Sequence, residues 1–288
     1  MRLTTYLIIS AFVGVLCSCD ENNVDYEVNT EGIAQEAIED FENFKLKINL
    51  IDSQVLEFPS PIELAQNYKN SGMRFIPGIT NPSFNFEKYN THTKKALNFG
   101  VYSADLSYCV MNDMGQRASE YLMIMRVLSK DIGLTEIFNY EVLATAFTSS
   151  LGNQDSMRRM VQSIQEDLDE TLRKNGIQER AILFYTGAWV ESAYLAFNSQ
   201  ETYSNSVDSA TLKHISSQLE MLQGINYELA QLTSKTREVV ALERELIEFE
   251  KLTTSIRVTQ ISDTLVLNLS DLSEIREKVE GIRNQIVN

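Results

Sequence analysis

The stretch GVYSADLSY, residues 100–108, sets a carboxylate among small and aromatic residues inside a long apolar run. A second stretch, GAWVESAY at residues 187–194, has the same order of features: a glycine, small residues, a carboxylate and a tyrosine three positions later. Glycine inside a helix costs about 0.8–1 kcal/mol relative to alanine, and it is tolerated where another backbone comes close. We therefore predict two central helices with close contacts at Gly100 and Gly187. The likeness of the two stretches is also compatible with an old duplication of a helix pair.

The carboxylates of these stretches need a physical reason, because an unpaired charge in an apolar interior is costly. Side chains three positions apart share one face of a helix, so Asp105 is expected over Tyr108 and Glu191 over Tyr194. One interpretation brings the two carboxylates together in the core as a ligand site, a metal site or an acid–base pair. The other gives each carboxylate a structural partner, namely a tyrosine hydroxyl, a lysine or a backbone donor. The candidate pocket or core polar residues are Asp105, Tyr108, Glu191, Tyr194, Tyr102 and Trp189.

Helical patterning covers most of the remaining chain. The 4 prolines all fall between residues 59 and 82, and the 12 glycines are few for 288 residues. Apolar residues recur at helical spacing between chain breakers. The predicted helices cover residues 31–45, 60–71, 89–110, 116–131, 136–149, 155–174, 178–197, 208–231, 235–257 and 271–287. The fold prediction is an all-α multi-helix bundle of about eight to ten helices, mostly antiparallel because the connections are short.

The clearest local signal is the tetrapeptide Ser-Pro-Ile-Glu at residues 60–63. A serine cap, a proline in the first helical position and a glutamate three residues after the cap are typical of a helix start. This helix is expected to stop at Gly72, and residues 73–86 are expected to form an ordered loop. Just before it, Leu46, Ile48 and Leu50 alternate with polar residues, which predicts a short strand or a continuation of the preceding helix.

The amino-terminal residues resemble a bacterial lipoprotein signal. A basic residue, an apolar core and the sequence LCSCD at residues 16–20 follow one another. This pattern predicts cleavage of residues 1–18, attachment of diacylglycerol to Cys19, and acylation of the new amino end with fatty acids such as palmitate. The other interpretation is an ordinary secretory leader. With a lipid-bearing cysteine, residues 19–30 form an acidic tether and residues 31–288 a single helical domain.

Charge and cysteine content narrow the functional classes. The net charge of −15 disfavours nucleic acid as a partner and also disfavours binding of the body to anionic lipid. With Cys17 removed and Cys19 lipidated, Cys109 remains alone, so no intrachain disulfide is predicted. The expected partners are the membrane, through the anchor on Cys19, and an envelope protein.

Known catalytic patterns are missing from the sequence. Neither His92 nor His214 lies in a zinc or di-iron pattern, and no phosphate loop, nucleophile elbow or calcium loop occurs, so no metal or cofactor is predicted. Three Asp-Ser/Thr-apolar triplets resemble an O-glycosylation motif, with acceptors at Ser156, Ser209 and Thr264. Asp and Ser are also good helix caps, which is the structural alternative for the first two.

Three segments carry a family resemblance: PSPIE at 59–63, ALNFGVYSADLSY at 96–108 and GAWVE at 187–191. Together they resemble an uncharacterised group of helical lipoproteins from Bacteroidota, over residues 56–260. The resemblance implies a host in that phylum and an envelope location, and it implies no activity. Asp20 after the lipid-bearing cysteine has opposite meanings in enteric bacteria and in Bacteroidota, and the resemblance favours the outer membrane.

Three functional hypotheses follow. The first is a lipid-anchored cell-envelope protein that acts by binding or scaffolding, without catalysis. The second is a helical module that binds a small molecule or lipid in a core pocket near Asp105 and Glu191. The third is an enzyme that uses the two carboxylates together, which requires them within about 5–10 Å of each other.

Overall fold

The computed structural model describes residues 45–49, 55–135, 140–174, 178–199, 209–259 and 269–288. The predicted leader, Cys19, the tether and Thr264 lie outside the described residues, as does the helix predicted over 31–45 except for Lys45. Ten α-helices occur in the described part of the chain: α1 Pro61–Asn70, α2 His92–Met111, α3 Gly115–Asp131, α4 Tyr140–Ser150, α5 Gln154–Lys174, α6 Gln178–Ser199, α7 Ser209–Glu220, α8 Leu222–Ala230, α9 Arg237–Thr259 and α10 Leu269–Val287. The prediction of an all-α multi-helix bundle is confirmed.

A small β-hairpin precedes the helices. Strand β1, Lys45–Asn49, pairs antiparallel with β2, Val55–Pro59, so that Ile48 lies opposite Leu56. Of the two interpretations of the alternating residues that begin at Leu46, the strand is therefore correct. Apolar side chains two positions apart fall on one face of a strand, whereas on a helix they do not.

Helix α1 begins as its sequence predicts. The Ser60 hydroxyl accepts a hydrogen bond from the Glu63 amide at 3.4 Å, and the Glu63 carboxylate accepts one from the Ser60 amide at 2.5 Å. Both amides belong to the first helical turn or its cap, where no backbone partner exists. The helix ends at Asn70, and Gly72 has a φ of +84°, a left-handed conformation that glycine adopts without a steric penalty.

The two glycine-containing stretches lie on α2 and α6, which pack directly against each other at the centre of the bundle. A Cβ atom added to Gly100 would lie 2.0 Å from the Phe184 carbonyl oxygen, and one added to Gly187 would lie 1.9 Å from that of Leu97. Each glycine thus meets the backbone of the opposite helix. The contacts are reciprocal, since each glycine touches the residue three positions before the other one. This confirms the predicted close contacts, and the reciprocity is compatible with a duplicated helix pair.

Helices α2 and α6 run parallel. Gly100 contacts Phe184 and Ala188, while the later residues Ala104 and Tyr108 line one small cavity with the later residues of α6, from Ser192 to Ala196. Helices α3, α4 and α5 intervene in the chain, so the rule that short connections produce antiparallel neighbours does not apply to this pair.

The prediction of one continuous helix over 208–231 is wrong, because the structure has two helices there, α7 and α8, separated at Met221. The indole Nε1 of Trp189 donates to the Gln218 carbonyl oxygen at 2.9 Å, and the Met221 amide bonds the same oxygen at 3.2 Å. The break therefore lies next to the point where α7 contacts Trp189 on α6. Other helix ends move by a few residues; α2, for example, starts at His92 because the Thr91 hydroxyl caps it through the Lys94 amide.

Residues 43–288 form one compact unit, which compares with the predicted domain of 31–288. Within its described part, no helix is both long and apolar enough to cross a membrane.

Candidate functional site

The carboxyl groups of Asp105 on α2 and Glu191 on α6 meet in the interior of the bundle. Both side chains belong to residues with 0 % exposure, and the two carboxyl groups lie within hydrogen-bonding reach of each other. The parallel packing of α2 and α6 is what brings them together, because both carboxylates lie about one turn after the glycine crossing. The structure thus places the two sequence-predicted acids in one site.

The positive charge of this site comes from Arg283 on α10. Its Nε donates to Glu191 Oε2 at 2.7 Å and its Nη2 donates to Glu191 Oε1 at 2.9 Å, a bidentate pair. The guanidinium Cζ also lies 3.9 Å from the ring centroid of Tyr194, a cation–π contact. Burial opposes the charge of Arg283, but the attraction of Glu191 outweighs it, so the pKa of Arg283 is raised.

Asp105 has a different environment. Its Oδ2 accepts a hydrogen bond from the Asn81 amide at 3.1 Å, while among the described residues no N–H or O–H donor meets its Oδ1. Burial and then the negative charge of Glu191 raise the pKa of Asp105 well above its usual range, against the opposing effects of Arg283 and the Asn81 amide. We call Asp105, Glu191 and Arg283 the polar core.

The polar core and the nearby tyrosines hold the α1–α2 loop, residues 71–91, against the bundle. Arg283 Nη2 donates to the Ile79 carbonyl oxygen at 3.4 Å, and the Tyr102 hydroxyl donates to that of Pro82 at 3.0 Å. The Tyr108 hydroxyl accepts a hydrogen bond from the Ile76 amide at 2.9 Å. A loop carries many backbone groups without regular partners, and burying them requires donors and acceptors from the elements around them.

Asn81 is the centre of this loop. Besides the amide bond to Asp105, its carbonyl oxygen accepts from the Tyr121 hydroxyl at 3.1 Å. Its side chain donates to the Tyr89 hydroxyl at 2.9 Å and accepts from the Asn85 amide group at 2.7 Å. Asn81 is 0 % exposed, so these bonds satisfy polar groups that water does not reach.

Two sequence-predicted residues take roles other than the expected ones. Tyr108 bonds the α1–α2 loop instead of the Asp105 carboxylate. Trp189 bonds Gln218 on α7 through both its indole nitrogen and its carbonyl oxygen, and its ring packs against Phe249 on α9 with centroids 6.1 Å apart. The Trp189 side chain therefore connects α6 to α7 and α9.

Sequence reasoning missed Arg283 and Asn81. A signal for Arg283 exists, since α10 buries Ile275, Val279, Ile282 and Ile286 and the arginine occupies the same apolar stripe. A positive charge in such a stripe indicates a buried acid elsewhere in the fold. Asn81 offers no comparable signal, because Asn-Pro is also an ordinary turn sequence.

The cavity nearest the candidate site residues is small. The cavity that Ala104, Tyr108 and Ser192 line has a volume of about 20 Å³, enough for about one water molecule. A larger cavity, of about 210 Å³, lies between α3 and α4, where Leu122, Met123, Arg126, Leu143 and Phe147 contribute to its walls. We call it the α3–α4 groove; it contains none of the sequence-predicted site residues.

The remaining predicted positions are structural or lie at helix starts. Cys109 is buried, and burial raises the pKa of its thiol. The Ser156 hydroxyl, on the first turn of α5, accepts a hydrogen bond from Arg159 at 3.2 Å, and the cap of this helix is Asn153 rather than Asp155. Ser209 is the first residue of α7. Among the described residues, no three His, Cys, Asp or Glu side chains cluster as ligands for a metal ion.

Chemically, the polar core contains two acids and one base in a place without solvent. One ion pair and one further carboxyl group can be accommodated there if the further group is neutral. Neither protein-family models, curated proteins nor solved structures give a match to this chain.

Proposed function

We propose that this protein is a lipid-anchored protein of the bacterial cell envelope, in the outer membrane, whose helical body binds or scaffolds an envelope partner without catalysing a reaction. The observation that carries the proposal is the internal use of the polar residues. Asp105, Glu191 and Tyr102, which the sequence marks as site candidates, bond Asn81, Arg283 and Pro82 of the same chain. Side chains committed in this way stabilise the fold and leave the surface as the place for interaction.

The anchor part of the proposal rests on LCSCD at residues 16–20. Each buried methylene of an acyl chain contributes about 0.8 kcal/mol, so two or three chains hold a protein firmly on a bilayer. The resemblance to helical lipoproteins of Bacteroidota supports the same location.

The surface part rests on exposed apolar side chains of α3 and α4, the two helices that line the α3–α4 groove. Met123 is 40 % exposed, Val127 is 43 % exposed and Val142 is 62 % exposed. Apolar side chains grouped on one surface are a common mark of a protein-binding site. With a net charge of −15, a protein partner suits this surface better than nucleic acid or an anionic membrane.

The anchor is tested with a matched pair of cysteine substitutions in cells fed a clickable fatty acid. We expect Cys19→Ser to lose the label and to leave the membrane fraction. Cys17→Ser is the control, since residue 17 leaves with the leader, and it is expected to keep both. Persistence of the label in Cys19→Ser would contradict the anchor.

The binding surface is tested with a photoreactive amino acid at Val127. Val240 on α9, an exposed valine at 53 %, is the control because it lies away from the groove. We expect a discrete crosslinked adduct to an envelope protein from position 127 and none from position 240. Equal adducts from both positions, or none from either, would contradict a partner at this surface.

A further inference from the structure

We propose that Asp105 and Glu191 share one proton in the folded protein, and that this proton makes residues 76–82 of the α1–α2 loop a pH-sensitive latch. The proposal starts from the charges of the polar core. Two carboxyl groups with no exposure to solvent face a single guanidinium, that of Arg283. Two carboxylates in one buried site cannot both remain ionised without a second positive charge.

The titratable groups that face Asp105 come from every element around it, and Arg283 on α10 is the positive one among them. The others are Glu191 and Tyr194 on α6, Tyr121 on α3, Tyr89 in the loop, and Tyr102 and Cys109 on α2. Burial raises the pKa of each of these tyrosines and of the cysteine, so they stay neutral over the physiological range. Arg283 is therefore the positive charge that the described residues place at this site.

The hydrogen bonds assign the proton to one atom. Both oxygens of Glu191 already accept from Arg283. Asp105 Oδ2 accepts from the Asn81 amide, and Asp105 Oδ1 has no N–H or O–H donor among the described residues. A proton on Oδ1 that is donated to Glu191 gives this oxygen a partner and leaves the polar core with one positive and one negative charge.

The α1–α2 loop depends on this arrangement because the same residues hold it. Asp105 accepts from the Asn81 amide, and Arg283 donates to the Ile79 carbonyl oxygen. Loss of the proton adds a negative charge beside Glu191 and draws Arg283 away from Ile79. Opening of the loop admits water to Asp105 and allows it to ionise, so opening becomes more favourable as the pH rises.

Linkage between proton binding at Asp105 and folding determines the direction in which stability changes with pH. An aspartate pKa raised by folding adds stability that is complete below about pH 3.9, the usual value in an unfolded chain, and that is lost as the pH rises through the folded value. Between these two values, the equilibrium constant for opening rises by up to about tenfold per pH unit, and above the folded value it levels off.

The test compares the wild type with Asp105→Asn, which keeps the acceptor for Asn81 and donates to Glu191 at every pH. Hydrogen–deuterium exchange, corrected for the intrinsic pH dependence of amide exchange, is measured for residues 76–82 in both proteins. We expect corrected exchange of the loop to rise with pH more steeply in the wild type than in Asp105→Asn, by up to about tenfold per pH unit. Equal pH profiles in the two proteins would overturn the proposal.

A second measurement needs no variant. Infrared spectroscopy of the wild type labelled with ¹³C-aspartate distinguishes a protonated aspartic acid from an aspartate. We expect a protonated aspartic acid band at neutral pH that disappears at higher pH. Absence of that band at neutral pH would overturn the proposal whether or not Asp105→Asn folds.

Discussion

The two glycine-containing stretches are similar in sequence, but their carboxylates have different partners in the structure. At their glycines they are equivalent, because Gly100 and Gly187 meet the opposite backbone at nearly the same distance. One turn later they diverge: Asp105 meets the α1–α2 loop through Asn81, whereas Glu191 meets α10 through Arg283. The comparison teaches that a glycine reports how close two backbones come, while the partner of a buried carboxylate is set by elements far away in the chain.

Substitution of either central glycine gives the largest expected loss of unfolding free energy. Because an added Cβ would overlap a carbonyl oxygen, we expect Gly100→Ala and Gly187→Ala each to lose more than about 4 kcal/mol of unfolding free energy. Urea denaturation followed by Trp189 fluorescence measures the loss. The control is Gly281→Ala on α10, where a Cβ meets no described atom within 4 Å and helix propensity should add up to about 1 kcal/mol. Wild-type stability in either central variant would contradict the close crossing.

The different partners of the two carboxylates give the second-largest expected loss of unfolding free energy. Arg283→Met leaves Glu191 without its positive partner and the Ile79 carbonyl without its donor, so we expect a loss of about 3–5 kcal/mol. Glu191→Gln is expected to lose less, since Asp105 can then ionise and pair with Arg283.

The control for this arginine is Lys278→Met on the same helix. Lys278 bonds Glu245 at 2.9 Å, with both side chains partly exposed, and loss of such a surface pair changes stability by at most about 1 kcal/mol. Chemical denaturation of all three variants under one condition gives the order. Similar losses for Arg283→Met and Lys278→Met would contradict the buried role of Arg283.

The tyrosines near the two carboxylates give the smallest effect. Tyr102→Phe removes the donor to the Pro82 carbonyl, which should reduce the unfolding free energy by about 0.5–1.5 kcal/mol. Tyr194→Phe keeps the aromatic ring over Arg283, so we expect a change within about 0.5 kcal/mol. Urea denaturation of the two variants measures both losses. A larger loss in Tyr194→Phe than in Tyr102→Phe would contradict the role of the Tyr102 hydroxyl in holding the α1–α2 loop.

Local sequence features predicted the local structure well. The capping box at Ser60, the stop at Gly72 and the central position of α2 and α6 all follow from rules that involve neighbouring residues or a single glycine. The break at Met221 was not predicted; it lies next to Gln218, which bonds Trp189, a residue 29 positions earlier in the chain.

The site itself was only half predictable. Asp105 and Glu191 stand out because a carboxylate in an apolar helix is unusual. Their partners are distant in sequence, with Arg283 92 positions after Glu191 and Asn81 24 positions before Asp105. Such contacts follow from the packing of whole helices, and helix periodicity in one segment contains no information about them.

The central claim is that Asp105 carries a proton in the folded protein and donates it to Glu191, whose two oxygens accept from Arg283. The most direct test is the unfolding free energy of the wild type and of Asp105→Asn from about pH 5 to about pH 8. We expect the wild type to lose stability relative to Asp105→Asn as the pH rises, by up to about 1.4 kcal/mol per pH unit, until the folded pKa is reached. A difference between the two proteins that stays constant over this range, or that changes in the opposite direction, would contradict the account.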